Sequence, residues 1–536
     1  MTLVCVPIAV EDLAPALEDA ERARLAGADM VEWRVDSCFH GEGDDEGIAL
    51  CLRLCEHSPL PCIVTCRDRA EGGAYDGDDA AKIALYERLG TSETPPAYLD
   101  LELSLWRRSA NLRQKALLGV QHPGQMRSSV TTRLILSHHD FDGRPRDLSR
   151  IINEMRAVEA ARVLKVAWRA RSLRDNLEAF DLLRERDRPT IALCMGEFGL
   201  MSRVLAPKFG GFLTFASRRA DGATAPGQPT VEDLLGTDRF RAVHKHTGVY
   251  GVIGWPVGHS LSPLVHNAGF EAAGHDGVYL PLPVAEGWEP LKATLHALAD
   301  APGLDFRGAS VTIPHKEGVM RFCAETPGWS PDEEAMRIGA ANTLTRDEAG
   351  WAATNTDAPA IVACLHDAVG SLRGKRVLVL GAGGAARAAA AGLAGAGARV
   401  RIAARTLARA EAIRDNLAEH AALEGGAIEV CSWEDRAGEA CDAVIHCTPL
   451  GMQGGPGPAL SPLSDDQLAA LGECVVFDTV YNPVETPLLR AASSRGMRTI
   501  DGVHMFVRQA AGQFEAWAGQ RVPRELFERV VRERVG

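Results

Sequence analysis

Eight short apolar runs punctuate roughly the first 220 residues: LVCVPI at Leu3, MVEWRVD at Met30, CIVTCR at Cys62, YLDLEL at Tyr98, LILSHHD at Leu134, VLKVAW at Val163, TIALCM at Thr190 and FLTFAS at Phe212. The runs are continuous rather than alternating, as parallel strands buried on both faces should be. Between them lie stretches with apolar residues at helical spacing and charged residues opposite, such as Glu11–Leu25 and Arg146–Ala161. Eight strands alternating with helices predict a closed (β/α)8 barrel. Ionisable residues gather at the C-terminal ends of the runs: Glu32, Arg34, Arg67, His139 and Lys165. That is the face on which barrel enzymes carry their chemistry.

The pattern resets between Gly236 and Gly248 through a short polar connection, and a second αβ series begins at Val249. Within it, KRVLVLGAGGAARAAAAGLAGAGARVRIAART from Lys375 reads as strand, glycine loop, alanine-rich helix and strand. The expected fold class is α/β: an N-terminal (β/α)8 barrel, then a two-lobed α/β part with a Rossmann lobe.

Composition narrows the function classes. Of 536 residues, 58 are Lys or Arg and 71 are Asp or Glu, a formal net charge of -13. This balance, with no basic run, argues against a nucleic-acid partner. No 18-residue apolar stretch is present, so no membrane span is expected. The 13 cysteines are odd in number and scattered, and Cys51/Cys55 and Cys62/Cys66 lack the usual CxxC spacing. They are expected as small buried apolar residues in a reducing compartment, with no metal site. With no signal-like or transit-like segment before Leu3, a cytoplasmic location is expected.

Lys165 lies inside Val163-Leu164-Lys165-Val166-Ala167-Trp168. A lysine buried in a parallel strand is desolvated, which favours the neutral amine that attacks a carbonyl. Alternatively it reaches solvent at the strand end. His139, one strand earlier, suits proton transfer beside an iminium. Glu32 and Arg34 could form a local ion pair. The order EWRVD, TCRDRAEGG, SHHDF, VLKVA, MGEFGLMSR, TAPGQP closely resembles type I 3-dehydroquinate dehydratase over roughly residues 1 to 235. That resemblance implies a Schiff base at Lys165, general acid/base work by His139 and positioning of the histidine by Glu71. It implies substrate contacts from Glu32, Arg34, Arg67, Arg203, Thr224 and Gln228. Thr224 stands where bacterial members usually have serine, which keeps the hydroxyl.

In the second half, Gly381, Gly383 and Gly384 would let the backbone approach a pyrophosphate at a helix N-terminus. No acidic residue follows about 20 residues on, where an NAD site would place one. Arg405, Thr406 and Arg409 follow the strand Val400–Ala404 instead. Two arginines suit a 2′-phosphate, so NADP(H) is the expected cofactor; the other reading is an exposed helix start. Ser260 and Ser262 sit in GWPVGHSLSPLVHN, where Ser262 before Pro263 also suits a helix cap. VTIPHK carries Thr312 and Lys316, AANTL carries Asn342, and TNTDA carries Asp357. DTVYNPVETPLL carries Tyr481 and HMFVRQAAGQFEAW carries Gln509. Lys316 and Asp357 are the ionisable pair for a proton relay.

This set resembles shikimate dehydrogenase over roughly residues 248 to 536. The resemblance implies a Lys316/Asp357 dyad and substrate contacts from Ser260, Ser262, Thr312, Asn342, Asp357, Tyr481 and Gln509. The implied cofactor site is Gly381, Ala382, Gly383, Gly384 and Ala385, with Arg405, Thr406, Arg409 and Gly502. The expected domains are a barrel over 1–240, a substrate lobe over 248–357 completed by 503–536, and a Rossmann lobe over 358–502. Departures from the family pattern are Ser310 for asparagine, Ala404 for asparagine before the arginine, CTPLGM at Cys447 and Ala358-Pro359 after NTD. Together the halves resemble the bifunctional dehydratase/dehydrogenase of the shikimate pathway, with 3-dehydroquinate, 3-dehydroshikimate and shikimate as small-molecule partners. Two alternatives are a regulatory homologue that binds metabolites without turnover and a quinate-directed dehydrogenase.

Overall fold

The computed structural model of the chain describes residues 1–121, 131–219 and 225–535. Contacts divide the chain into two compact units, Met1–Thr247 in the first and most of the remainder in the second.

The first unit is built on β1 (Leu3–Ala9), β2 (Met30–Arg34), β3 (Cys62–Thr65), β4 (Tyr98–Glu102), β5 (Arg133–Asp140), β6 (Ala161–Arg169), β7 (Thr190–Met195) and β8 (Leu213–Phe215). All eight predicted strands form. They lie in the order β7-β6-β5-β4-β3-β2-β1-β8, and neighbours in this order run parallel. The ring closes beside β8, where the Phe212 N–H donates to the Thr190 carbonyl at 2.9 Å. The helix predicted over Glu11–Leu25 runs Leu13–Leu25, capped by the Asp12 carboxylate. The helix predicted over Arg146–Ala161 is shorter, Leu148–Arg156, because Ala161 already belongs to β6.

Side-chain alternation along each strand layers the barrel interior. One layer is apolar and includes Met30, Ile63, Tyr98, Ile135 and Val163. Two residues further along the same strands stand Glu32, Thr65, Asp100, Ser137 and Lys165, all buried. The strands thus pass from a dry floor to a polar layer near their C-terminal ends.

The second unit holds two six-stranded sheets. The first contains β9 (Gly248–Gly254), β10 (Gly277–Pro283), β11 (Phe306–Val311), β12 (Trp329–Pro331), β13 (Thr343–Asp347) and β14 (Gly350–Thr354), ordered β10-β9-β11-β13-β14-β12. It is mixed: β9 and β11 run parallel, whereas β11, β13 and β14 are successively antiparallel. The helix Gly502–Ala518 shares an aromatic core with it, including Tyr250, Phe270, Phe514 and Trp517.

The second sheet contains β15 (Arg376–Leu380), β16 (Arg399–Ala404), β17 (Ala427–Ser432), β18 (Ala443–His446), β19 (Val475–Asp478) and β20 (Thr499–Ile500). Its order, β17-β16-β15-β18-β19-β20, with every pairing parallel, is that of a Rossmann sheet. The order reverses between β15 and β18, which is where such sheets bind ligands. The helix Gly384–Gly395 buries Ala386, Ala388, Ala389 and Ala390, small side chains that let it pack tightly.

Candidate active sites

In the barrel, Glu32, Arg34, Arg67, Glu71, His139, Lys165, Arg203 and Gln228 line one pocket with about 570 Å³ of empty volume. Thr224 lies outside the described residues.

Lys165 is 5% exposed, so it does not reach solvent at the strand end. Nor is it isolated in apolar surroundings. Its Nζ lies 2.9 Å from Asp100 Oδ2 and 3.2 Å from Glu32 Oε1, with the Phe215 ring 4.6 Å away. Asp100 was not singled out from the sequence, yet it is the hub of this layer. Its Oδ1 accepts from Arg67 Nη2 at 2.8 Å and Ser137 Oγ at 2.6 Å. Burial pushes the Asp100 carboxyl up, but the cations Arg67 and Lys165, helped by the Ser137 hydrogen bond, overcome this and hold it well below the usual range. Lys165 and Arg34 likewise lower Glu32 against burial.

Glu32 and Arg34 do not form the local ion pair of the alternative reading. Arg34 Nε donates to Asp36 Oδ1 at 2.8 Å, while Glu32 accepts from Thr65 Oγ1 at 2.7 Å. Arg67 also sits 3.2 Å from Glu102, which holds Lys82 at 2.7 Å.

His139 meets Glu71 through both its backbone N–H and ring Nδ1, each 3.1 Å from Oε2. Ser104 donates to the other Glu71 oxygen. A proton on Nδ1 directed at a carboxylate leaves Nε2 with its lone pair. Burial, then Arg67 and Lys165, push the His139 pKa well down, which keeps the ring neutral. Arg203 is buried, and its Nε has no partner among the described residues. Burial lowers its pKa to about 10. A buried guanidinium that meets only the Phe215 carbonyl, at 3.5 Å, and no carboxylate among the described residues is a receptor for an anion.

In the second unit, Lys316 opens the helix Lys316–Glu325 and Asp357 opens the helix Asp357–Val369. Their side chains meet at 2.5 Å. Asn342 Nδ2 donates to the other Asp357 oxygen at 2.9 Å and lies 3.4 Å from Gln509 Oε1. Tyr481 stacks on Phe506 at 4.4 Å and is bonded to Ser260. Thr312 is half-buried just after β11. Lys316, Asp357, Asn342 and Gln509 are therefore one connected group. The cap expected from Ser262 is supplied by Ser260: its Oγ accepts from the Ser262 N–H at 3.3 Å. Ser262 is itself the first helical residue, so its hydroxyl cannot take that place.

The glycine loop follows β15 directly. Gly381 has φ +125°, a conformation open to glycine. A Cβ on Gly384 would fall 2.9 Å from Lys316 Cδ, so the loop's helix starts against the dyad lysine. Gly383 faces open space, and Ala382 and Ala385 flank it half-buried. Arg405, Thr406 and Arg409 are exposed just beyond β16. A glycine cradle at a helix start, with two arginines after the next strand, fits a dinucleotide bearing a 2′-phosphate. Gly502 has a packing reason to be glycine, since a Cβ would lie 2.3 Å from the Val480 carbonyl oxygen.

Two features here carried no sequence signal. Glu317 bridges to Arg409 and Arg387. His446 is fully buried and joins Asp478 at 2.9 Å to the Thr448 hydroxyl beside the cofactor loop. Among the described residues no cluster of His, Cys, Asp and Glu could hold a metal ion, and no helix is long and apolar enough to cross a membrane.

Comparison with known proteins follows the same division. The type I 3-dehydroquinase model matches residues 4–243 and the shikimate dehydrogenase substrate binding domain residues 252–344. The shikimate/quinate 5-dehydrogenase model matches 364–448, and the shikimate 5′-dehydrogenase C-terminal domain 502–532. The chloroplastic bifunctional 3-dehydroquinate dehydratase/shikimate dehydrogenase of Arabidopsis thaliana is 35% identical over 550 residues, covering 99% of this chain and 84% of the relative. A shikimate dehydrogenase (NADP(+)) of Methanocella arvoryzae is 43% identical over 285 residues, 53% of this chain and 98% of that protein. A solved dehydroquinate dehydratase and shikimate dehydrogenase from S. pombe AroM is similar at 26% identity and a TM-score of 0.42, covering 99% of this chain and 98% of that one. The chain belongs to the family of bifunctional 3-dehydroquinate dehydratase/shikimate dehydrogenases.

Proposed function

We propose that the barrel dehydrates 3-dehydroquinate to 3-dehydroshikimate, and that the second unit reduces this ketone to shikimate with NADPH. The observation that carries this is the pairing of a buried Lys165 beside a neutral His139 in one unit with a Lys316–Asp357 pair against a glycine loop in the other.

In the barrel, the Lys165 amine adds to the substrate ketone and water leaves, giving an iminium. The neutral His139 ring takes the proton that the Lys165 ammonium must lose before it attacks and returns it to the hydroxyl that leaves as water when the iminium forms, while Asp100 and Glu32 hold the lysine in place. His139 Nε2 removes the proton alpha to the iminium, and the same nitrogen then protonates the departing hydroxyl. Glu71 holds the ring in the tautomer this requires. Hydrolysis frees Lys165, so the net change is loss of one water. Arg203 takes the substrate carboxylate, with Arg34, Arg67 and Gln228 around the ring.

In the second unit, the cofactor supplies a hydride to the carbonyl carbon when bound. Lys316 gives a proton to the carbonyl oxygen, and Asp357 orients the ammonium. Asn342, Gln509, Ser260, Ser262, Thr312 and Tyr481 hold the ring hydroxyls and carboxylate. Gly381 to Ala385 and Gly502 would hold the cofactor, with Arg405, Thr406 and Arg409 available to its 2′-phosphate. The proposed domains remain 1–240, 248–357 with 503–536, and 358–502. Retention of both lysines and both partners weighs against a regulator without turnover. Comparing shikimate with quinate tests the quinate-directed reading. Thirteen free thiols, none exposed, suit a reducing compartment, and we place the enzyme in the cytoplasm.

The test is borohydride reduction in the presence of 3-dehydroquinate, followed by peptide mapping. A stable adduct at Lys165 is expected, and labelling elsewhere or no labelling would refute the covalent step.

A further inference from the structure

The residue after Lys316 makes contacts that the chemistry above does not use. Glu317, in the first turn of the helix Lys316–Glu325, reaches two helices of the Rossmann sheet. One oxygen lies 3.0 Å from Arg409 Nη2 and the other 3.6 Å from Arg387 Nη2. Arg409 lies in the helix Leu407–Leu423 after β16, and Arg387 in the helix Gly384–Gly395 after β15. An arginine suited to a 2′-phosphate is thus held by a carboxylate from the helix that begins with Lys316.

A carboxylate and a phosphate accept the same guanidinium N–H groups. The phosphate monoester carries the larger charge, about -1.5 to -2 at neutral pH. The Glu317–Arg409 pair is half exposed, with side-chain exposures of 40% and 56%, so exchanging its partner costs little. When Arg409 turns to phosphate, Arg387 remains beside Glu317 to take up the carboxylate.

We infer that Glu317 is a specificity-determining residue: it competes with the cofactor 2′-phosphate for Arg409. It holds the preference for the phosphorylated dinucleotide below what the arginines alone would give. Because Glu317 and Lys316 are adjacent at one helix start, the exchange also ties phosphate occupancy to the helix carrying the dyad lysine. This rests on the reading of Arg409 as a 2′-phosphate residue.

Calorimetric titration with NADP+ and with NAD+, without substrate, tests it in the full chain. Glu317→Gln should raise the ratio of NADP+ to NAD+ affinity about two- to fivefold, the range for an exposed ion pair. Arg409→Gln should lower that ratio, and adding Glu317→Gln to it should have no further effect. If Glu317→Gln leaves the ratio unchanged or lowers it while Arg409→Gln still lowers it, the competition is refuted and the phosphate site stands. If Arg409→Gln leaves the ratio unchanged, the phosphate reading of Arg409 fails, and the inference with it.

Discussion

Asp100→Asn removes one charge from the centre of the barrel's polar layer. Asp100 Oδ2 holds Lys165 at 2.9 Å and Oδ1 holds Arg67 at 2.8 Å, and all three side chains are at most 7% exposed. Removing one partner of a buried ion pair typically costs about 3–5 kcal/mol, because the other charge is left uncompensated. Here compensation is partial: Lys165 keeps Glu32 at 3.2 Å and Arg67 keeps Glu102 at 3.2 Å. The lower end, about 3 kcal/mol, is therefore expected, or roughly 6–12 °C for a unit of this size. Burial opposes the charge on Asp100, but Arg67 and Lys165, with the Ser137 hydrogen bond, outweigh it and depress the carboxyl. A depressed carboxyl stabilises the fold fully above the unfolded value, about pH 4, and loses that contribution as pH falls towards the folded value. The cost of Asp100→Asn should accordingly be flat from about pH 5 to 8 and shrink below about pH 4. Denaturant titration with hydrogen exchange on the β4 and β5 peptides measures it in the intact chain. A loss under about 1 kcal/mol at pH 7, or a cost that grows on acidification, would refute the reasoning.

Glu71→Gln should lower dehydration about 10- to 1,000-fold and leave the reductase rate alone, since Gln can present its amide to Nδ1 and disfavour the required tautomer. Single-turnover assays of each half separate the two. Lys316→Ala should cut ketone reduction about 100- to 10,000-fold while dehydration persists; equal loss of both activities would contradict independent sites. Gly502→Ala should destabilise the second unit by about 1–3 kcal/mol, because its Cβ would sit 2.3 Å from the Val480 carbonyl oxygen. Thermal unfolding with and without NADP+ checks it, and an unchanged midpoint would show that the backbone there gives way freely.

The eight barrel strands and the glycine-loop unit were legible in the amino-acid order because their cause is local. A parallel strand covered on both faces must be apolar along its length, and a pyrophosphate cradle must be glycine between strand and helix. Lys165, His139, Lys316 and Asp357 were legible through the motifs around them. Partner choice was not. Asp100 meets Lys165 and Arg67 only because alternation on three separate strands lifts their side chains into one layer. Its signal was present, an acid inside the apolar run YLDLEL, but nothing local says which cations it faces. Arg34 turned to Asp36 rather than Glu32, and Ser260 rather than Ser262 supplied the helix cap, since both outcomes depend on backbone direction. Glu317 belongs to the same class: a half-exposed acid in a helix, given a role only by two arginines some 70 and 92 residues away. What the sequence determined was which elements form and which chemical groups are available. Which groups share a hydrogen bond was decided by the tertiary structure, because hydrogen bonds and ion pairs act over about 3 Å and depend on where distant strands and helices end.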